Sequence, residues 1–366
     1  MPGFAMAQRC KAVFNGASWM RYAKKIAAGL AITLIAAIAV GSWLLLGETN
    51  LDRTTEDYRS RMHAIWSGTP PGRADTDSVP IDIDSGLLRH FFINELESEV
   101  PYLVAFPAAG AARAPALLIL PGGGYSFRSE KLDGLDLAGW FSERGIASFV
   151  LNYRVDPYRY PVPLQDAERA MRWLRAHADE QHIDPRRLGV LGSSAGGHLA
   201  ALLATRGGAG NSASDDPVER QSSKPDVLIL SQAVVSFRHH VHEGSRRRLL
   251  GNSPAPDLLD SLSTENRVTP STPPTFVWTT KTDEMVDYRN SELFVRALRA
   301  QGIDHELQLF PEGPHGRGLS RAEKYAKEWP HLCLAWLARH GFTPERRARA
   351  NADDQQRMTR TSPATR

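Results

Sequence analysis

Cysteine is nearly absent from this 366-residue chain: only Cys10 and Cys333 occur. They stand on opposite sides of its one long apolar run, which removes a disulfide framework from consideration. Cys333, inside the apolar residues 331–337, reads as a core residue. No internal repeat is present, so solenoids and propellers are out. The chain also lacks a G-x-G-x-x-G fingerprint and a glycine loop followed by Lys-Ser/Thr, the patterns that cradle nucleotide phosphates. Charge of one sign does not dominate: the formal net charge is +3, and the basic residues are spread over both tails and residues 236–248 without interleaved aromatics. That distribution offers nucleic acid no footprint. His239, His240 and His242 cluster, but without placed carboxylates or cysteines around them, so neither a metal nor a cofactor is expected.

What is present is a short apolar run that meets Gly192-Ser193-Ser194-Ala195-Gly196 and then an Ala/Leu-rich stretch. The pattern reads as strand, tight turn, helix. A nucleophilic serine at such a turn sits in a strained backbone, and the positions two before and two after it must be nearly free of side chain. Gly192 and Gly196 meet this requirement for Ser194. Leu191 and Ala195 would flank Ser193, and a leucine would clash, so Ser194 is the candidate nucleophile.

A serine hydroxyl attacks only when a base takes its proton, and the base needs an acid to orient it. Residues 274–280 form a β-prone run that ends in the polar turn 281–287, and residues 306–310 alternate like an edge strand that exits through Pro311-Glu-Gly-Pro-His315-Gly316. His315, between Gly313-Pro314 and Gly316, cannot be core packing and suits a general base. Asp283 suits the acid by the chain order Ser, Asp, His. Asp287, Glu284 and Asp304 lie nearby and stay open as alternatives. Upstream, the buried-type strand 116–120 empties into Pro121-Gly122-Gly123-Gly124-Tyr125, whose glycines let backbone amides turn toward developing negative charge beside the Ala195 N–H.

Taken together, these segments resemble the α/β-hydrolase superfamily, esterase/lipase branch, similar to acetylxylan-esterase-like and feruloyl-esterase-like enzymes. The resemblance rests on Pro121-Gly-Gly-Gly-Tyr125, Asn152-Tyr-Arg154, Pro163-Leu-Gln-Asp166, residues 183–200, Leu250-Gly-Asn252, residues 272–278 and residues 310–316, in register over residues 80 to 340. It implies a mostly parallel sheet with helices on both faces. It implies Ser194 as nucleophile, Asp283 as acid, His315 as base, and Gly123, Gly124 and Ala195 as oxyanion amides, acting on acetyl or acyl esters of carbohydrates. Other enzymes of the fold (lipase, carboxylesterase, peptidase) and a silent binding module are the alternatives. The acid loop departs from the family pattern: similar enzymes carry proline where Asp287 stands and a second acidic residue where Thr282 stands.

Helical periodicity over 136–144, 164–176 and 289–300, alternating with strands, agrees with one α/β domain. Residues 207–224 read as a surface loop, and the His-containing excursion 236–272 as a cover over the sheet's carboxyl edge, where such sheets bind ligands.

The apolar run 26–46, about twenty residues without a charge, is long enough to span a bilayer. Arg9, Lys11, Arg21, Lys24 and Lys25 precede it, while Glu48 and Asp52 follow, so the positive-inside rule places the enzyme on the non-cytoplasmic side, periplasmic or extracellular. Secretion after cleavage is the alternative. The expected organisation is therefore a basic N-terminus over 1–25, a membrane anchor over 26–46, a linker over 47–79, the catalytic domain over 80–341 and a disordered tail over 342–366.

Overall fold

A computed structural model describes residues 60–72, 100–109 and 113–343. The strands are β1 (Met62–Ala64), β2 (Tyr102–Phe106), β3 (Ala114–Leu120), β4 (Ala147–Asn152), β5 (Ile183–Ser193), β6 (Val227–Ser231), β7 (Thr275–Thr280) and β8 (His305–Phe310). They form an eight-stranded sheet in the order β1-β2-β4-β3-β5-β6-β7-β8. β1 and β2 run antiparallel to their neighbours, and every pairing from β4 through β8 is parallel. The helices are α1 (Asp136–Ser142), α2 (Val162–Ala176), α3 (Ser194–Arg206), α4 (Glu243–Leu250), α5 (Pro256–Leu262), α6 (Arg289–Ala300) and α7 (Trp329–Arg339).

Helices cover both faces, and strand alternation divides the apolar side chains between them. Leu118 and Leu120 of β3 join a cluster with Leu199, Leu203 and Leu174 of α3 and α2. On the other face Phe276 meets Trp336, and Trp278 stacks on Trp329 at 4.9 Å between ring centroids. All seven residues of β3 are buried, and each fully buried Leu or Ile there contributes about 1.5–3 kcal/mol. α6 buries Phe294, Val295 and Leu298, the three- and four-residue spacing of one helix face. Cys333 is buried in α7, as its apolar surroundings in the sequence imply.

One tie lies across the sheet's upper rim. Arg154, just after β4, and Asp166 of α2 are both fully buried and joined by two side-chain bonds of 2.6 and 2.9 Å, with the Arg154 N–H donating a third. This explains why Asn152-Tyr-Arg154 and Gln165-Asp166 occur together in the sequence.

Two boundaries need correction. Residues 60–72, expected within the linker, belong to the domain: β1 adds to the sheet, Ile65 is buried, and the Pro71 carbonyl accepts from Arg154. β2 leaves an open edge, and a three-residue strand is enough to pair with it, a length too short to show periodicity. At the other end Phe342 is buried and Arg187 donates to the Thr343 carbonyl, so packing runs slightly beyond residue 341. The 207–224 loop has one apolar anchor, Val218, and Arg169 holds it through Asp216 and Glu219. The anchor over 26–46, the basic N-terminus and the tail beyond 343 lie outside the described residues. Among the described residues no helix is long and apolar enough to cross a membrane.

Candidate active site

β5 ends at Ser193 and α3 begins at Ser194, so the chain turns through the serine itself. Ser194 has φ 53°, left-handed backbone that costs a non-glycine residue about 1–3 kcal/mol unless its surroundings impose it. Those surroundings are tight. A Cβ on Gly192 would lie 2.2 Å from the Gly196 carbonyl oxygen, and one on Gly196 would lie 2.1 Å from that of Leu120. The glycine requirement read from the sequence is therefore steric and acts through backbone, which cannot swing aside. Ser193 faces elsewhere: its hydroxyl is buried without a hydrogen-bond partner among the described residues.

His315 lies in the loop after β8, with its Nε2 2.9 Å from Ser194 Oγ and its Nδ1 2.7 Å from Asp283 Oδ2. The Asp283 side chain is fully buried, and its Oδ1 accepts the N–H groups of Met285 and Val286 at 3.0 and 2.9 Å. One carboxylate oxygen is thus held by the turn and the other is presented to the imidazole. Among the alternatives, Asp287 is bound by Arg289, with His240 at 3.6 Å; Asp304 pairs with His340. Neither competes for His315. The Thr282 departure also has a physical account: its hydroxyl accepts the Gly313 N–H at 3.0 Å, while Thr280 donates to the Gly313 carbonyl at 2.6 Å. Two threonines tie the acid loop to the histidine loop with neutral bonds.

The glycine loop after β3 is supported from below. Tyr153 donates its hydroxyl to the Pro121 carbonyl at 2.6 Å, and Arg128 holds the Tyr153 carbonyl. Tyr125 donates to His198 Nδ1 at 2.8 Å, and His198 Nε2 donates to the Leu262 carbonyl at 2.8 Å. Burial pushes His198 down to about 4, so it stays neutral and that tautomer is fixed. Gly123, at φ 130°, has no room for a Cβ, which would fall 2.0 Å from the Phe127 carbonyl. Gly124 faces His242, and Ala195 occupies the first turn of α3, where leading amides lack a helical acceptor.

The structure therefore brings Ser194, His315 and Asp283 into one hydrogen-bonded relay beside the glycine loop and the α3 N-terminus. Such a relay can move a proton from a hydroxyl to an imidazole whose far nitrogen is held by a carboxylate.

Three contributors were not read from the sequence. Gln232, at φ 44° after β6, clamps the histidine loop with both ends of its amide, donating to the Pro314 carbonyl at 3.1 Å and accepting the Gly316 N–H at 3.0 Å. Its only signal was a polar residue ending an apolar strand. His242 caps α4, its Nδ1 taking the Ser245 N–H, and is held below its usual range by burial and by His315. Asp133 lies buried beneath the glycine loop. A cavity of about 460 Å³ lined by His240, Lys281, Asp283, Met285, Tyr288 and Arg289 touches neither Ser194 nor His315. It is not the seat of a reacting group.

Comparison with known proteins agrees with this frame. The BD-FAE family model matches residues 104–298. An endo-1,4-beta-xylanase B of Butyrivibrio fibrisolvens is 34% identical over 233 residues, covering 62% of this chain and 36% of that protein. An acetylxylan esterase of Xylanibacter ruminicola is 33% identical over 255 residues, covering 68% of this chain and 50% of that protein. The chain thus spans half or less of the length of these curated relatives. Among solved structures, an acetyl ester-xyloside bifunctional hydrolase from Caldicellulosiruptor lactoaceticus superposes with TM-score 0.67 at 40% identity, covering 77% of this chain and 97% of that one. A thermophilic esterase of Thermogutta terrifontis follows with TM-score 0.54 at 26% identity, covering 67% and 89%. The sheet and helices are those of the α/β-hydrolase fold, and the chain belongs to the BD-FAE family.

Proposed function

We propose that this protein is a serine esterase that removes acetyl or other acyl groups from carbohydrates by way of an acyl-enzyme. Ser194 Oγ attacks the ester carbonyl while His315 Nε2 takes its proton. Asp283 keeps the imidazole in the Nδ1–H tautomer and stabilises the imidazolium. The amides of Gly123, Gly124 and Ala195 receive the oxyanion, where loss of one donor costs about 10²–10³ in rate. The imidazolium then protonates the leaving alcohol, and a water molecule deprotonated by His315 releases the acid. The sequence requires no cofactor or metal for this cycle.

The observation that carries the reading is the continuous relay from Ser194 through His315 to Asp283, at 2.9 and 2.7 Å, starting from a serine at φ 53°. The carbohydrate alcohol rests on relatives named for acetylxylan and for an acetyl ester-xyloside. We further propose that residues 26–46 hold the enzyme at a membrane with its domain on the non-cytoplasmic side; support comes from the uncharged run and the basic residues before it.

Hydrolysis profiling of the full-length protein tests the substrate class. Acetylated xylan and short p-nitrophenyl esters are the expected substrates. Preference for long-chain esters or aminoacyl amides would instead make it a lipase or a peptidase.

A further inference from the structure

Between β3 and α1 the chain makes a single π turn, Lys131–Leu135. Such turns break the regular hydrogen-bond ladder and redirect a side chain inward. Here the side chain is Asp133, 3% exposed. Its carboxylate accepts the backbone N–H of Gly122, the backbone N–H of Gly318 and the Ser129 hydroxyl. The first amide belongs to the glycine loop, one residue before Gly123. The second belongs to the loop that carries His315. The packing leaves no slack. A Cβ on Gly122 would lie 3.0 Å from both Asp133 Oδ2 and Ser194 Cβ, and one on Gly318, at φ 51°, would lie 2.2 Å from the Leu132 carbonyl.

We propose that Asp133 is a positioning residue for ester hydrolysis: one carboxylate ties the glycine loop to the histidine loop and so sets the spacing between the oxyanion amides and the His315 imidazole. The inference rests on the serine esterase reading. Asp133 touches neither substrate nor the reacting atoms; it acts through Gly122 and Gly318. Asparagine in its place would present an N–H₂ group to one of two N–H donors and release one loop.

The device is sensitive to protons. Burial pushes Asp133 up to about 6, opposed by the nearby His315 charge and by the three donors. Also facing it is Tyr153, backed by Arg128; on its own turn Lys131 pairs outward with Asp136. As pH falls through about 6 the carboxylate takes a proton and loses acceptor capacity, so activity falls through two groups, Asp133 and the base His315.

The test compares full-length parent, Asp133→Asn and Ser129→Ala, with folding followed by thermal unfolding. Asp133→Asn should lose about 10²-fold in kcat with little change in KM, the scale on which small misplacements act. The low-pH limb of log kcat/KM should approach a slope of two in the parent and one in the variant. Ser129→Ala removes a bond that favours the charged form, so its low-pH limb should move to higher pH. Should Asp133→Asn fail to fold, the Ser129→Ala limb decides alone. A folded Asp133→Asn with parental kcat, or a Ser129→Ala profile that superimposes on the parent's, overturns the proposal. Failure of the esterase reading itself is told apart by Ser194→Ala, which would then keep its activity.

Discussion

Asp283 and Asp287 lie four residues apart in one loop, yet only one of them reaches the histidine. Asp283 spends one oxygen on two turn amides and offers the other to His315; Asp287 spends both on Arg289. Asp283→Asn should therefore lower kcat by up to about 10⁴, because the amide leaves the imidazole in the wrong tautomer. Asp287→Asn should change steady-state rates little, since it loses an exposed pair worth about 0–1 kcal/mol. The reverse ranking in kcat would assign the acid wrongly. Ser194, His315 and Asp283 were legible because each follows an apolar strand in a fixed order and sits among glycines or turn residues. Gln232 and Asp133 were not, because their work is done on backbone atoms of distant loops and leaves no local periodicity.

The elements that carry these side chains were also legible: β3, β7, β8, α2 and α6 announce themselves by continuous apolar runs or by one-sided helical spacing. β1 did not, since three residues give no alternation to read, and its pairing with β2 depends on a sheet edge made elsewhere. At this scale the buried Arg154–Asp166 pair is the most exacting joint, linking the segment after β4 to α2. Burial raises Asp166 while Arg154 pulls it back, and the close geometry with three bonds keeps the pair charged. Arg154→Met should cost about 3–5 kcal/mol in denaturant unfolding, because it strands a buried carboxylate. Adding Asp166→Leu should recover much of that loss. A single variant as stable as the parent would show that the joint carries no load.

For the whole molecule, pH acts through groups whose burial separates folded from unfolded behaviour. His198 stays neutral in the fold down to about 4, whereas in the unfolded chain it takes a proton near about 6.5. Protons are then bound by the unfolded state first, so its contribution to stability falls as pH drops from about 6.5 toward 4, by up to about 3 kcal/mol. Asp133, pushed up to about 6, contributes with the opposite sign over much of the same window. The informative quantity is thus the difference between the parent and His198→Gln, which should shrink on acidification; a pH-independent difference would contradict it. The placement of residues 26–46 is tested by membrane fractionation of the full-length chain, with recovery in the pelleted membranes expected and an unanchored, processed protein contradicting it. The central claim is that one serine among neighbours is activated by a relay built from three loops. Reaction of the folded protein with a fluorophosphonate, followed by peptide mass spectrometry, tests it most directly: a single adduct on Ser194 that disappears in His315→Ala is the predicted result, and an adduct on Ser193, or none on a folded enzyme, would contradict it.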